Sequence, residues 1–279
     1  MTTVEELEGD IALERFQSEE EVLAHYDSKK YRTPDGYTSD IAVFTIISEE
    51  TEAYKPPRKK LKLMLIKRAE LDQEGNPNIE GGKWALPGGF IQPDETALEA
   101  AKRELEEETG VSGFHIQHFG VYDKLGRDRR GWIISNAHYA IVAEEYLRHR
   151  QAADDADEVE LFSIEEVFEK ELAFDHRQII EDALRFIKRD MLLTTLARNF
   201  LPQEFVLSEL QGVLLTVTDD PAIRSEPAFY RKAPTLPFLQ KVTENGELKK
   251  SNRYSKTPAQ LYRFIDYDQP YLSIYSIRK

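Results

Sequence analysis

The 279-residue chain contains no cysteine. That excludes disulfides, cysteine-ligated zinc, iron–sulfur clusters and thiol nucleophiles, and it sets the expectation of a reducing, cytoplasmic home. No apolar run approaches the roughly 18 residues of a membrane span, so no membrane partner is expected. The opening MTTVEELE has no basic stretch leading into an apolar one, so no signal peptide is expected. Positive charge is scarce, with 37 Lys and Arg against 51 Asp and Glu, a net −14. Bulk charge therefore argues against non-specific binding to nucleic acid or membrane, though not against a local basic face. The deficit is uneven. Residues 1–199 hold 26 basic and 42 acidic residues, a net −16, whereas residues 200–279 hold 11 and 9, a net +2.

What is present reads as a folded chain with alternating elements. Residues 1–17 are acidic with scattered apolar positions. Ser18-Glu-Glu-Glu21 has the spacing of a capping box before a short helix, inside an N-terminal extension of residues 1–37. Strands are predicted over Ile41–Ile47 and Leu61–Lys67, with a long hairpin-type insertion over Glu70–Lys83. Trp84–Ile91 leads through a Gly-Gly turn into a helix over Thr96–Thr109, stopped by Gly110. Strands follow near Phe114–Val121 and Trp132–Val142, then an acidic loop over Asp154–Glu160 and a short helix opening on Ser163. The spacing of Ile180, Leu184, Ile187 and Met191 predicts a connecting helix over 176–202, broken by Pro202. Residues 203–279 read as a separate small unit. It has helices around Leu210–Val217 and Ala228–Lys232, then a hairpin about Gly246.

The strongest signal runs from Gly89 to Val111: Gly89, five residues, Glu95, seven residues, Arg103-Glu104-Leu105, one residue, Glu107-Glu108, one residue, Gly110-Val111. On a helix, Glu104, Glu107 and Glu108 lie three and four residues apart and share a face. Like charges so placed destabilise a helix unless something positive sits among them, and a hard divalent cation held by carboxylate oxygens meets that need. Glu95 sits near the helix start, where the dipole favours it. Arg103 is placed to pair with a carboxylate, and Gly88-Gly89 let the backbone approach a metal or phosphate. Such a site suits attack of water on a phosphoanhydride.

Gly89–Val111 resembles the signature box of the Nudix hydrolases. The resemblance implies a Nudix α/β/α sandwich with a mixed sheet over residues 38–175. It implies Mg²⁺ or Mn²⁺ held by Glu104, Glu107 and Glu108 with the carbonyl of Gly89, and carboxylates oriented by Arg103 and Glu95. Gly126-Arg127-Asp128-Arg129-Arg130-Gly131-Trp132 is similar to a segment of the ADP-ribose pyrophosphatase branch, with Arg129 where proline is frequent there. The implied substrate is a nucleoside diphosphate-linked small molecule. Arg127 and Arg130 are candidate phosphate donors. Phe90, Arg68 and His176 are further substrate-binding candidates, with Phe174 beside them. Asp175 is placed to cap the helix after it. Glu144 and Glu145 are candidates for a general base by location only.

Residues 203–279 resemble the winged-helix domain of Nudix-related transcriptional regulators through Leu207–Gln211, Phe229–Lys232 and Thr257–Tyr262. This resemblance implies a winged helix-turn-helix, a homodimer and double-stranded DNA as a partner. Arg231 and Lys232 then lie on a recognition helix shortened by Pro234 and Pro237. Lys249, Lys250, Arg253 and Lys256 lie on a candidate wing whose stretch 241–263 carries a local +4. Two functions follow, a metal-dependent hydrolase of ADP-ribose-like compounds and a ligand-sensing regulator.

Overall fold

A computed structural model describes residues 18–27, 32–49, 51–72, 74–109, 115–144 and 159–266, the side chains of Glu108 and Thr109 excepted. The expectations for residues 1–17, for Gly110, for Glu145 and for the acidic stretch up to residue 158 lie outside the described residues. The chain divides into two units, residues 1–34 and 35–279. In the first, helix α1 (Glu19–Ala24) begins where its capping spacing predicts, with the Ser18 hydroxyl accepting the Glu21 N–H at 3.2 Å.

The second unit is organised by β1 (Gly36–Glu49), the middle of a seven-stranded mixed sheet. β1 pairs antiparallel with β2 (Arg58–Lys67) and, near its start, with β4 (Gly88–Phe90). On its other side it pairs in parallel with β6 (Ile133–Ile141). β3 (Trp84–Ala85) and β7 (Val159–Ser163) extend β2, and β5 (His115–Tyr122) closes the edge beyond β6. Side chains alternate along a strand, and β1 uses both faces. Ile41 and Val43 pack with Ala101 and Leu105 of α2 (Ala97–Thr109). Ala42, Phe44 and Ile46 pack on the opposite face with Ile179, Ile180, Ala183 and Ile187 of α4 (His176–Leu193), which follows α3 (Ile164–Glu169). The result is the expected α/β/α sandwich.

Three sequence expectations need correction. Gly88-Gly89 is not a free turn but part of β4, paired to Ser39 and Asp40. The end of the predicted acidic loop is β7, whose Val159 and Leu161 pack beside Met64 on the α2 face. The connecting helix ends at Leu193, well before Pro202. Thr194 is extended there, and its N–H and hydroxyl both donate to the Asp190 carbonyl. The β-branched pair Thr194-Thr195 disfavours continuing the helix.

The C-terminal segment is a winged helix-turn-helix. β8 (Phe205–Val206) leads into α5 (Leu207–Leu215), α6 (Pro221–Arg224) and α7 (Glu226–Lys232). β9 (Leu239–Lys241), the hairpin β10 (Thr243–Glu244) and β11 (Glu247–Leu248), β12 (Lys250–Ser251) and β13 (Ala259–Phe264) follow. Asn245 and Gly246 turn the hairpin with φ of 53° and 83°, the left-handed pair that a two-residue hairpin turn requires. The apolar core on the α4 side of the sheet continues without a break into Phe205, Leu210, Val213, Phe229 and Phe238. The small unit therefore shares its core with the sheet.

One buried group links the fold to pH. His138 of β6 is almost fully buried, with Nδ1 3.1 Å from the Ser39 hydroxyl. Burial, reinforced by nearby His118, pushes its pKa down to about 4. Between the ordinary imidazole value near 6.5 and pH 4, the unfolded chain takes up a proton that the folded chain refuses. Stability is therefore full above about pH 6.5 and falls as pH drops, by roughly 3 kcal/mol at pH 4 from this group. Urea unfolding of wild type and His138→Gln across that window is expected to show a steeper decline for the wild type.

Candidate functional site

The site begins with two glycines. A Cβ on Gly88 would overlap the Ser39 carbonyl, and its φ of 154° disfavours a side chain. A Cβ on Gly89 would fall on the carboxylate of Glu104. The glycines thus let β4 lie against β1 while a carboxylate of α2 lies against β4.

Arg103 then ties loop to helix. Its Nε and Nη2 donate to the two oxygens of Glu95 at 3.0 and 2.7 Å. Nη1 donates to Glu104 at 2.7 Å and to Glu107 at 3.0 Å. Nη2 also reaches the Phe90 carbonyl at 3.2 Å. Arg103, and the Gln92 N–H after it, hold the Glu95 carboxyl below its ordinary range. The predicted Gly89, Glu95, Arg103, Glu104 and Glu107 are all brought together, while the side chain of Glu108 lies outside the described residues. Among the described residues no three acidic or histidine side chains already form a metal cage. The donor set nevertheless fits a hard cation. Glu104 and Glu107 offer carboxylate oxygens on one helix face, gathered by a single guanidinium beside a glycine that leaves room.

Beside this cluster lies a cleft that collects Gly89 and all five substrate-binding candidates, Arg127, Arg130, Phe90, Arg68 and His176. They divide into a floor and a wall. The floor is buried. Arg127 has a side chain only 3% exposed and makes a two-pronged pair with Asp175, at 2.9 and 2.6 Å, with Asp40 at 3.6 Å. Asp175 sits at the N-terminus of α4 but makes no side-chain cap, so its predicted capping role gives way to this pair. His176 accepts the Leu86 N–H on Nδ1 at 2.9 Å, which places its own proton on Nε2, facing Asp40 at 3.8 Å. Burial holds its pKa below the ordinary value. Asp40 also accepts a hydrogen bond from the Ser135 hydroxyl.

The wall is a ladder of cations and rings. Arg68 lies 5.1 Å from the Phe174 ring, and Arg130 lies 5.3 Å from Phe174 and 4.9 Å from Phe90. Each spacing falls within cation–π range. Asp128, buried, grips Arg130 through Oδ2 at 2.6 Å. Phe174 adopts a φ of 49°, a left-handed conformation that costs a bulky residue about 1 kcal/mol or more. It is held there because Trp84 N–H donates to the Glu171 carbonyl and Ala173 N–H donates to Trp84.

Other candidates lie elsewhere. Glu144 accepts the Ser48 N–H at the far end of β1, away from the cleft. Its location among β-strand ends is therefore not that of a base for this site. Arg231 and Lys232 occupy the last turn of α7, and Lys250 is exposed on β12. Arg253 is bonded to buried Glu209 at 3.0 Å, Lys249 to Glu204 at 2.9 Å, and Lys256 lies 6.0 Å from the Tyr54 ring. Those three cations of the candidate wing are engaged within the protein. Sequence reading missed Asp40 and Asp128. Asp128 stands between two arginines and was legible as a clamp, whereas nothing local marks Asp40.

Comparison with known proteins bears on this arrangement. Residues 39–183 match the family described as NUDIX domain. The chain is 28% identical to the ADPR responsive transcriptional repressor NtrR of Acinetobacter baylyi, over 91% of this chain and 92% of that protein. It is 37% identical to an ADP-ribose pyrophosphatase of Methanocaldococcus jannaschii, over 59% of this chain and 83% of that enzyme. Among solved structures, Shewanella oneidensis NrtR complexed with a 27mer DNA superposes with a TM-score of 0.61 at 26% identity, covering 82% of this chain and 93% of that one.

The floor yields a test by magnitude. Losing a helix cap costs about 1 kcal/mol, whereas removing one partner of a buried ion pair costs about 3–5 kcal/mol. Asp175→Ala is expected to lose roughly 3 kcal/mol in denaturant unfolding, and a loss near 1 would return Asp175 to a capping role.

Proposed function

The chain belongs to the Nudix family, and on that premise we propose that it is a metal-dependent hydrolase that splits the pyrophosphate of ADP-ribose or a related nucleoside diphosphate derivative. The observation that carries this reading is the complete frame of Gly89, Glu95, Arg103, Glu104 and Glu107 beside an arginine-lined cleft. Glu104, Glu107 and Glu108, with the Gly89 carbonyl, would hold Mg²⁺ or Mn²⁺. When bound, the metal neutralises the pyrophosphate, polarises phosphorus and lowers the pKa of water. Arg103 and Glu95 position these carboxylates. Arg130, held by Asp128, donates its remaining N–H groups to the phosphates, and Arg68 lines the same wall. Arg127 and His176 shape the floor from within.

Hydrolysis is tested by following AMP release from ADP-ribose in Mg²⁺. Glu107→Gln is expected to lose about 100-fold or more in kcat, the several kcal/mol that metal charge stabilisation contributes. Arg130→Ala is expected to raise KM by about tenfold, one charge-assisted hydrogen bond. Absence of turnover by the wild type refutes the enzyme reading.

A second reading is favoured by the near full-length match to the repressor NtrR. In it the Nudix domain, residues 38–175, senses ADP-ribose. A connecting segment joins it to a winged-helix domain over 203–279, which as a homodimer binds double-stranded DNA. Arg231, Lys232 and Lys250 contact phosphates. Replacing Arg231 and Lys232 together by Ala is expected to reduce the slope of log K against log salt by about 2 on DNA upstream of the protein's own gene. No retention of that DNA by the wild type at low salt refutes this reading.

A further inference from the structure

A second cavity lies at the other end of β1. The cleft draws on Thr38 and Asp40, and this cavity on Ile46 and Ser48. Eight residues of strand separate Asp40 from Ser48, roughly 26 Å at the usual rise. The cavity measures about 410 Å³, within the range of small-molecule pockets. One side belongs to the sheet, through Ile46, Ser48 and Lys59. The other belongs to the segment after α4, through Phe200, Glu209 and Arg253.

Hydrogen-bond capacity decides its chemistry. Lys59 runs its stem over Gly212 of α5, where a Cβ would meet its Cδ at 3.3 Å. Its ammonium, with three donors, makes one long hydrogen bond to the Ser48 hydroxyl at 3.3 Å. No carboxylate oxygen of the described residues lies within 4.0 Å of it. Burial depresses its pKa, opposed by Glu209 and Glu144 at longer range. The acceptors around it are spoken for. Glu209, buried, accepts the Val206 N–H at 2.9 Å and the Arg253 Nη1 at 3.0 and 3.3 Å, and Glu144 accepts the Ser48 N–H at 3.0 Å. Arg253 spends only Nη1 on Glu209, and a guanidinium carries five N–H donors. The cavity therefore has donors to spare, and its remaining wall is mixed, with Ile46, Phe200, Leu201 and Pro202 beside Asn199 and Tyr254.

We propose that this cavity binds a small organic anion, its carboxylate or phosphate seated between the Lys59 ammonium and the Arg253 guanidinium and its apolar body against Phe200 and Leu201. Bound there, the ligand ties the sheet to the C-terminal segment and acts at a place separate from the cleft. The proposal does not depend on which reaction or partner the cleft serves.

Benzoate and phenyl phosphate are the probes, titrated into the full chain in EDTA and read by calorimetry and by thermal unfolding. At least one is expected to saturate, and which one does tells carboxylate from phosphate. Lys59→Met is expected to weaken binding about tenfold or more, the loss of one charge-assisted contact. Lys59→Arg keeps it within about threefold, and Arg130→Ala in the cleft leaves it unchanged. Should Lys59→Met not fold, Arg253→Gln carries the same expected loss. Failure of both probes to bind overturns the proposal, and so does wild-type affinity in Lys59→Met or a loss confined to Arg130→Ala.

Discussion

The Arg103 guanidinium is the contact on which the acidic cluster depends. Three carboxylates converge on it, two from α2 and one from the loop before that helix, and the Phe90 carbonyl completes its surroundings. Remove the guanidinium and Glu104 faces Glu107 a helical turn apart, with nothing of opposite sign between them. The loop carrying Glu95 would then lose its anchor to α2. Because Glu104 also lies over Gly89, and β4 is paired to β1, one planar cation sets the distance between helix, loop and sheet. Lysine would not serve equally. An ammonium offers a point charge, while the fork reaches three carboxylates in fixed directions.

The cleft shows the same economy in a buried setting. Arginines read from sequence as free phosphate donors are committed to aspartates, Arg127 to Asp175 and Arg130 to Asp128. The two commitments differ in consequence. Arg127 is 3% exposed and Asp175 about one-quarter, so the pair is fixed by the cost of leaving the buried guanidinium alone. Arg130 is about one-third exposed and lies between two rings; its partner Asp128 is buried and takes its Nε and Nη2, so that pair also stays together and the guanidinium offers its remaining N–H groups to a ligand phosphate from the open side. Burial thus separates a structural arginine from an available one where the residue type does not.

Much of this fold was legible in the sequence, for identifiable reasons. The apolar run Ile41–Ile47 predicted a buried strand, alternation in Leu61–Lys67 predicted a second, and the box spacing put Glu104 and Glu107 on one helix face beside Arg103. These are local patterns with periods of two and of three to four residues. What stayed hidden is non-local. Arg127 meets Asp175 across 48 positions and Arg253 meets Glu209 across 44. No spacing rule reaches that far, so Asp175 was read as a cap and Arg253 as a DNA contact. β7 was hidden for a different reason. Its charged neighbours suggested a loop, whereas pairing with β2 and burial of Phe162 decide its state.

β1 relates these local devices to one another. Its early residues Ser39 and Asp40 receive the glycine strand, with Asp40 lining the cleft, and its late residues Ile46 and Ser48 open on the second cavity. Between them Phe44 belongs to the apolar cluster that runs through α4 into the winged helix. A close-packed cluster of this kind resists continuous deformation. A change at either end of the strand is therefore accommodated by repacking at its borders, and the stretch of border with the C-terminal segment at the second cavity is polar. There Lys59, Glu209 and Arg253 meet in hydrogen bonds and longer-range attractions. Polar contacts of this sort are remade at lower cost than an interlocked apolar core. Any displacement between the sheet and the winged helix should concentrate at this border, eight residues along one strand from the cleft.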